Sequence, residues 1–411
     1  MKWKSLIILV LGVILISSCN NRTVIYYSGS NDEKWKDYSI GIAIKDGDEI
    51  IKYENNPVLV NGELYDYTMA KDSFVLEIGD RLFMYYSGHN SVDCHTIDLA
   101  ESNDGVNWIK YEGNPIMKGD GYGWDAKQVC RPSIYDTKKN GDKRYRMLYT
   151  GQSELGIWSI GYAYSANGYE WISSEEPVIS IENSDEWDNT IITSPSNIVK
   201  RSNLYHVYYS GYNPKYGWQI GLVTFEDFEG EYIKSEYNPV LSPRKDAKQT
   251  ILNILSSDTF EIKDSEVFNN GELVFICDKE SKGFELNRIY DNREGIIVLE
   301  KDLKMEYSAG STIRSWMNRS VAWCDVRYNN KWEMLFTAFQ ALYEDTGKDR
   351  RIVSYAYSDD GINWVIDYAK SPYIPYEEIE GSWDELMISD GRIAELDNKL
   401  VKVIINESDE P

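Results

Sequence analysis

One phrase recurs along this chain, and nothing else in it limits the fold as sharply. Phe83-Met84-Tyr85-Tyr86-Ser87-Gly88 is followed by Ile97-Asp98-Leu99-Ala100-Glu101-Ser102-Asn103-Asp104-Gly105-Val106-Asn107-Trp108, and then by Asn114-Pro115-Ile116. The aromatic alternation predicts a strand ending on glycine. Asn-Asp-Gly tolerates positive φ and predicts a tight hairpin after the next strand. Proline removes a ladder donor, so Asn-Pro closes the third. The phrase returns at Met147–Gly151 with Ser165-Ala166-Asn167-Gly168, Trp171 and Pro177, and at Val207–Gly211 with Asn238-Pro239. It returns again at Met334–Ala338 with Ser358-Asp359-Asp360-Gly361, Trp364 and Ser371-Pro372, and an N-terminal copy, Ile25–Gly29 through Asn56-Pro57, starts part-way through the unit. Repeats of about four strands each predict an all-β fold, a β-propeller.

Units fall at 22–60, 65–118, 124–180, 187–243, 258–307 and 314–375. The fifth is degenerate: Leu273–Cys277 supplies its second strand, without the Gly-Asn-Trp signals. Ile388–Ile405 reads as two strands that complete the N-terminal unit and close the ring, leaving no exposed edge. The count is six. Blades bury their faces only against one another, so residues 22–411 are expected to form a single propeller domain despite the length of 411. Trp124-Asp125, Trp187-Asp188 and Trp383-Asp384 each stand at the same distance ahead of an inner strand. Repetition around a ring makes them architecture.

Lys2 and Lys4, the apolar run Leu6–Ile16 and the small residues before Cys19 predict a secretory leader over 1–18. Ile16-Ser17-Ser18-Cys19 resembles a bacterial lipobox, which implies cleavage before Cys19, diacylation of its sulfur, and a short lipidated stretch, 19–21. An uncleaved anchor helix is the alternative, against which the run is short. Either way the globular part is exported and tethered to a membrane. Asn20 favours the outer membrane or cell surface.

The formal net charge of −24 offers no basic face to a polyanion, which excludes nucleic acid as the expected partner. Export permits disulfides among Cys94, Cys130, Cys277 and Cys324, but their spacing does not define a pairing. No CxxC or HExxH occurs, and His89, His95 and His206 are scattered, so no metal site and no cofactor are expected.

Aromatic-Tyr-Ser/Thr-Gly, Ser-Asp-Gly-x-x-Trp and Asn-Pro-Val, preceded by Trp-Asp and Pro-Ser, resemble the furanosidase-like propeller superfamily. That group holds arabinanases, β-xylosidases, invertases, levansucrases and related mannoside phosphorylases. The resemblance spans nearly the whole chain after the leader and implies five blades. Against the six units counted, either one unit is a decoration or the ring is larger. Sialidase-type propellers have six blades and carry a related hairpin box, but Ser102–Trp108 and Ser358–Trp364 are each one residue shorter than that box.

The resemblance also implies an axial pocket lined by the starts of the inner strands: Lys71-Asp72, Arg131-Pro132, Ser194-Pro195, Lys263-Asp264, Arg319-Ser320 and Asp390-Gly391. Glycosidic cleavage needs one carboxyl group to donate a proton and another to attack or to activate water. Asp72 matches the family's blade-opening aspartate, a base or nucleophile, although Ser73 stands where the family has proline. Asp264 and Glu266 would point the same way along a strand, and one of them is the expected acid. Asp390 is the expected orienting carboxylate. The family's general-acid glutamate phrase has no counterpart, since Glu175-Glu176-Pro177 ends an outer strand. Lys71, Arg131, Lys263 and Arg319 at one mouth would either bind an anionic ligand (a uronate, a phosphorylated glycan or phosphate) or neutralise the aspartates. Three readings follow: a lipid-anchored glycoside hydrolase, a phosphorylase, and a non-catalytic glycan-binding or scaffold propeller.

Overall fold

The computed structural model describes residues 23–32, 37–62, 65–91, 94–181, 186–244, 247–280, 284–317, 319–339, 350–376, 382–384 and 387–394. The expected leader, Cys19 and the second C-terminal strand lie outside the described residues. Among those residues the chain forms one eight-stranded, one five-stranded and two four-stranded sheets and one closed barrel, and the eight-stranded sheet is two four-stranded antiparallel halves joined by the single parallel pair Arg351–Met387, counted here as the fourth and closing sheets. The first sheet starts from the inner strand Met69–Ile78, and the second from Gln128–Asp136. In the third, Ile191–Thr193 and Val199–Arg201 share the inner place, and the fourth starts from Ser320–Asn329. The closing sheet takes its inner strand, Met387–Ala394, from the C-terminal part of the chain and pairs it with Thr23–Ser30. The expected closure is thus realised by the first of the two C-terminal strands.

The fifth unit is no blade. Lys248–Ile254, Thr259–Ile262, Leu273–Cys277, Phe284–Arg293, Ile296–Leu299 and Thr312–Ser315 close into a barrel around Ile251, Phe260, Ile276, Ile289 and Ile297. The barrel is inserted between the third and fourth sheets. Phe275 and Cys277 on its other side pack with Trp316, Trp332 and Phe336 of the propeller. The degenerate unit lost the blade signals because it pairs with itself.

Each inner strand carries one bulged residue with positive φ: Asp72 (55°), Arg131 (57°), Ser194 (57°), Trp323 (51°) and Asp390 (53°). The backbone N–H of each donates to a hydroxyl from the recurring phrase of the preceding sheet. Ser28 receives Asp72 at 3.0 Å and Ser87 receives Arg131 at 2.8 Å. Thr150 receives Ser194 at 2.9 Å, Ser210 receives Trp323 at 2.8 Å, and Thr337 receives Asp390 at 3.0 Å. These ties run from the closing sheet through the first, second, third and fourth and back to the closing sheet. Among the described residues these ties make one cycle through five sheets. A bulge turns its side chain out of the strand's alternation, and here those of Asp72, Arg131, Trp323 and Asp390 come together from four different sheets. Removing one tie leaves a buried donor unpaired, so Ser87→Ala is expected to cost about 1–3 kcal/mol, read as a lower denaturant midpoint.

The Trp-Asp pairs are architectural, as their repetition predicts. Tyr27, Tyr149 and Tyr209 donate their hydroxyls to Asp384, Asp125 and Asp188 at 3.0, 2.6 and 2.8 Å. Each of these tyrosines is in register with a glycine, Gly41, Gly161 or Gly221, where a Cβ would run into the tryptophan. The first sheet departs from this pattern. Tyr65-Asp66 replaces Trp-Asp, Tyr86 donates to Asp66 at 3.0 Å, and Asp98 occupies the glycine's place opposite Tyr86.

Asp98 is fully buried, and that burial, with Asp66 close by, pushes its carboxyl up to about 8 against the offsetting hydroxyl of Thr96 at 3.0 Å. The folded state therefore holds this proton more tightly than the unfolded chain. Its contribution to stability is full below the ordinary value of 3.8 and is lost as pH rises through about 8. Asp98→Asn is expected to be more stable than the parent by a margin that widens over that window, on the order of a few kcal/mol at its alkaline end. Denaturant midpoints at about pH 5 and about pH 9 check the trend.

Candidate functional site

The bulges assemble the axial site. Asp72, Arg131 and Asp390 come from the inner strands of the first, second and closing sheets, and all are buried, at 1%, 7% and 6% exposure. One guanidinium nitrogen of Arg131 lies 3.2 Å from Asp72 Oδ1 and 2.8 Å from Asp390 Oδ1. The two carboxyl groups therefore share a single cation, and the Asp390 side chain lies within hydrogen-bond reach of Asp72. Lys71 Nζ approaches the other Asp72 oxygen at 3.7 Å, and Ser389 donates to Asp390 Oδ2 at 2.7 Å. Neither Asp72 oxygen accepts a hydrogen bond of good geometry.

The two acids diverge electrostatically. Burial works against charge at Asp72, but the charges of Arg131 and Lys71 outweigh it and hold the carboxyl well below the usual range. At Asp390 burial and the Asp72 charge prevail over Arg131, and its carboxyl is raised. A buried pair pushed apart in this way yields one ionised and one protonated group at the same pH.

Three further groups frame the mouth. Trp323, the fourth sheet's bulge residue, has the Arg131 guanidinium 4.5 Å and the Arg351 guanidinium 4.6 Å from its ring centroid. Arg351 also donates to the Tyr38 hydroxyl at 3.3 Å, and Lys71 lies 5.5 Å from the Tyr38 ring. His95, far from being scattered, faces His89 across a hairpin with ring centroids 4.4 Å apart. Its Nδ1 is buried without a partner. Burial, with Lys71, His89 and Arg131 nearby, keeps the ring neutral well below the ordinary histidine value.

Of the residues expected at the axis, Asp72, Asp390, Lys71 and Arg131 are brought together. Lys263, Asp264 and Glu266 are not: they are exposed on a turn of the inserted barrel, where Asp264 accepts the Glu266 backbone N–H at 3.1 Å. Their resemblance to Lys71-Asp72 is local, because the strand before them pairs inside the barrel. Arg319 is also displaced. It precedes the fourth inner strand, and its carbonyl lies against the Gly217 turn of the third sheet, while the bulge in that strand falls between Ala322 and Asp325. Trp323 holds the place assigned to it.

The axis is plugged on the far side of the bulges. Arg392 donates to the Pro132 and Pro195 carbonyls at 3.2 and 2.9 Å, and Asp325 accepts the Asn197 and Ile393 N–H groups at 3.3 and 3.0 Å. A cavity of about 200 Å³, lined in part by Phe74, Asp136 and Lys138, lies against Asp325 and Arg392 of this plug. Among the described residues no cluster of three or more His, Cys, Asp or Glu could hold a metal ion, and Cys130 and Cys324 are free thiols.

No family model and no curated protein matches the chain. Solved structures similar to it include an endo-1,4-β-xylanase from Bacteroides thetaiotaomicron at 12% identity, covering 85% of this chain and 91% of that one, with a TM-score of 0.49. An exo-1,5-α-L-arabinanase from a bovine ruminal metagenomic library is similar at 11% identity over 85% and 94%, with a TM-score of 0.45. A β-1,2-mannobiose phosphorylase from Listeria innocua is similar at 16% identity over 55% and 63%, with a TM-score of 0.41. The propeller itself rests on the closed cycle of backbone-to-hydroxyl ties in this chain.

Proposed function

We propose that the chain is a glycoside hydrolase acting at the axial mouth. The observation that carries this reading is the pair Asp72 and Asp390, held on one Arg131 nitrogen and driven to opposite protonation states. Asp390, with its raised carboxyl, is the proton donor to the glycosidic oxygen. Asp72, ionised and in ion-pair range of Arg131 and Lys71, attacks the anomeric carbon or activates water. This assigns Asp390 the acid's part in place of Asp264 or Glu266. Among the described residues Lys71 and Arg131 set two cations beside the one ionised acid, Asp72, which favours an anionic glycan.

That cation excess also supports phosphorolysis, in which phosphate replaces water as the attacking group. The burial of both acids beneath Arg131 supports a third reading, a binding propeller in which the cluster only holds the axis together. A panel of neutral and uronate-bearing glycans, with and without phosphate, separates the three. Sugar release that Asp390→Asn lowers by about two to four orders of magnitude is expected for hydrolysis. Dependence on phosphate would assign the phosphorylase. Binding without release, unchanged by Asp390→Asn, would assign the binding propeller. The same proposal includes export and diacylation at Cys19, read from the lipobox-like Ile16–Cys19; the mass of the N-terminal peptide tests it.

A further inference from the structure

At the end of the propeller remote from the axial bulges, the fourth and closing sheets enclose a second charged space. It is a cavity of about 480 Å³, lined by Lys45, Arg327, Lys331, Lys370, Glu333 and Asp367. Both carboxylates are engaged. Glu333 accepts Arg327 Nε at 2.7 Å and the Tyr355 hydroxyl at 2.8 Å. Asp367 lies 3.5 Å from Lys370 Nζ and accepts that residue's backbone N–H at 3.3 Å. Lys45 and Lys331 have no carboxylate in ion-pair range among the described residues and lie instead 5.9 Å from the Tyr373 ring and 5.1 Å from the Tyr357 ring.

A surplus of cations in one cavity is unexpected on a chain of net charge −24. Burial disfavours the charged form of half-buried Lys45, Glu333 offsets this in part, the Arg327 and Lys370 charges add to it, and an anion entering the cavity would favour the charged form further. Lysine ammonium groups serve as point charges for phosphate. The chain's own geometry then says which phosphate comes near. Thr23 lines this cavity and begins the strand Thr23–Ser30, whose other end holds the Asp72 bulge through Ser28. Cys19 is four positions before Thr23, a reach of at most about 14 Å.

We propose that this cavity receives the phosphate of an anionic lipid headgroup, so that the propeller rests on the bilayer by this face and presents its axial mouth outward. The inference rests on acylation of Cys19. An acidic body tethered to an anionic leaflet is repelled over most of its surface, and the local cations select the face that approaches, each lysine contributing about 1 kcal/mol near such a surface. Hydrolysis at the mouth is not required for any of this.

The test is lysine acetylation footprinting of the full acylated chain in vesicles of phosphatidylcholine alone or with phosphatidylglycerol. Lys45, Lys331 and Lys370 are expected to be protected about fivefold or more by phosphatidylglycerol, while Lys215, on the hairpin at the mouth end, is unchanged. Lys331→Glu is expected to return Lys45 to its reactivity on phosphatidylcholine. Equal protection by inorganic phosphate on phosphatidylcholine vesicles would assign the cavity to free phosphate and overturn the lipid assignment. Reactivities indifferent to both would mean the cations are satisfied within the chain, and protection of Lys215 to the same extent would mean a general surface effect; either result overturns the proposal. An N-terminal peptide without acyl groups would overturn the tether and this inference together, and its mass reports that outcome separately from the footprint.

Discussion

Asp72→Asn is expected to abolish turnover, lowering it by about two to four orders of magnitude, while leaving the fold in place. The amide keeps the shape of the side chain and its backbone tie to Ser28, so the bulge and the ring closure survive. What disappears, on the proposed assignment, is the ionised group that would face the scissile bond. The pH profile tests the assignment more severely than the loss itself. Hydrolysis needs Asp72 ionised and Asp390 protonated. The acid limb should therefore lie below the usual carboxylate range, where Arg131 and Lys71 hold Asp72. The alkaline limb should follow the raised carboxyl of Asp390. In an Asp390→Asn variant the residual activity should lose the alkaline limb and keep the acid one. A profile in which Asp72→Asn removes the alkaline limb instead would exchange the two roles.

Stability follows the same two carboxyls with opposite signs. The depressed Asp72 contributes stability that is present above its unfolded value and is lost as pH falls through its folded one. The raised Asp390 contributes stability that is present below its unfolded value and is lost as pH rises through its folded one. Asp72→Asn should thus remove part of the acid unfolding of the parent, a trend visible by circular dichroism without any substrate.

The propeller was legible because its signals are periodic and local. Ser28, Ser87, Thr150, Ser210 and Thr337 stand one residue before the glycine or alanine of each phrase, and each holds a bulge on the next sheet. Their spacing to the bulge is 44 residues in three of the five ties, 113 across the inserted barrel and 53 at the closure. That irregularity misled the axial column. Lys263-Asp264-Ser265 copies Lys71-Asp72-Ser73 in letters, but no phrase ending in Ser-Gly precedes it at the right distance, and the strands around it close on themselves. Trp323 was missed because a bulge can be displaced along a strand without changing the composition around it. Arg351 opens the third strand of the fourth sheet and Tyr38 directly precedes the third strand of the closing sheet, and His95 meets His89 only once a hairpin has set them in register. Such contacts are made by tertiary geometry and leave no mark in the spacing. The Asp98 substitution was in plain sight at Ile97-Asp98-Leu99, beside Ile160-Gly161 and Ile220-Gly221. Its meaning needed the register with Tyr86.

Arg131→Met is expected to be the most destabilising single change at the axis, by about 3–5 kcal/mol. The substitution keeps most of the apolar stem and removes the cation that two buried acids share at 3.2 and 2.8 Å. Asp72, 1% exposed, would retain only Lys71 at 3.7 Å. The cost is chiefly that of leaving a charge uncompensated, which gives the prediction its internal check. With its largest neutralising charge gone, Asp72 should titrate higher, so the penalty should shrink as pH falls and the carboxyl takes up a proton. Asp72→Asn added to Arg131→Met should recover much of the loss, because an amide needs no counter-charge there. A double-mutant cycle on denaturant midpoints would then return a coupling of about 0.5–3 kcal/mol. Additive losses would mean that Arg131 stabilises the axis through its contact with Trp323 and not through the acids. In that case the two carboxyls would not owe their divided protonation to this arginine, and Lys71 would be the group to change next.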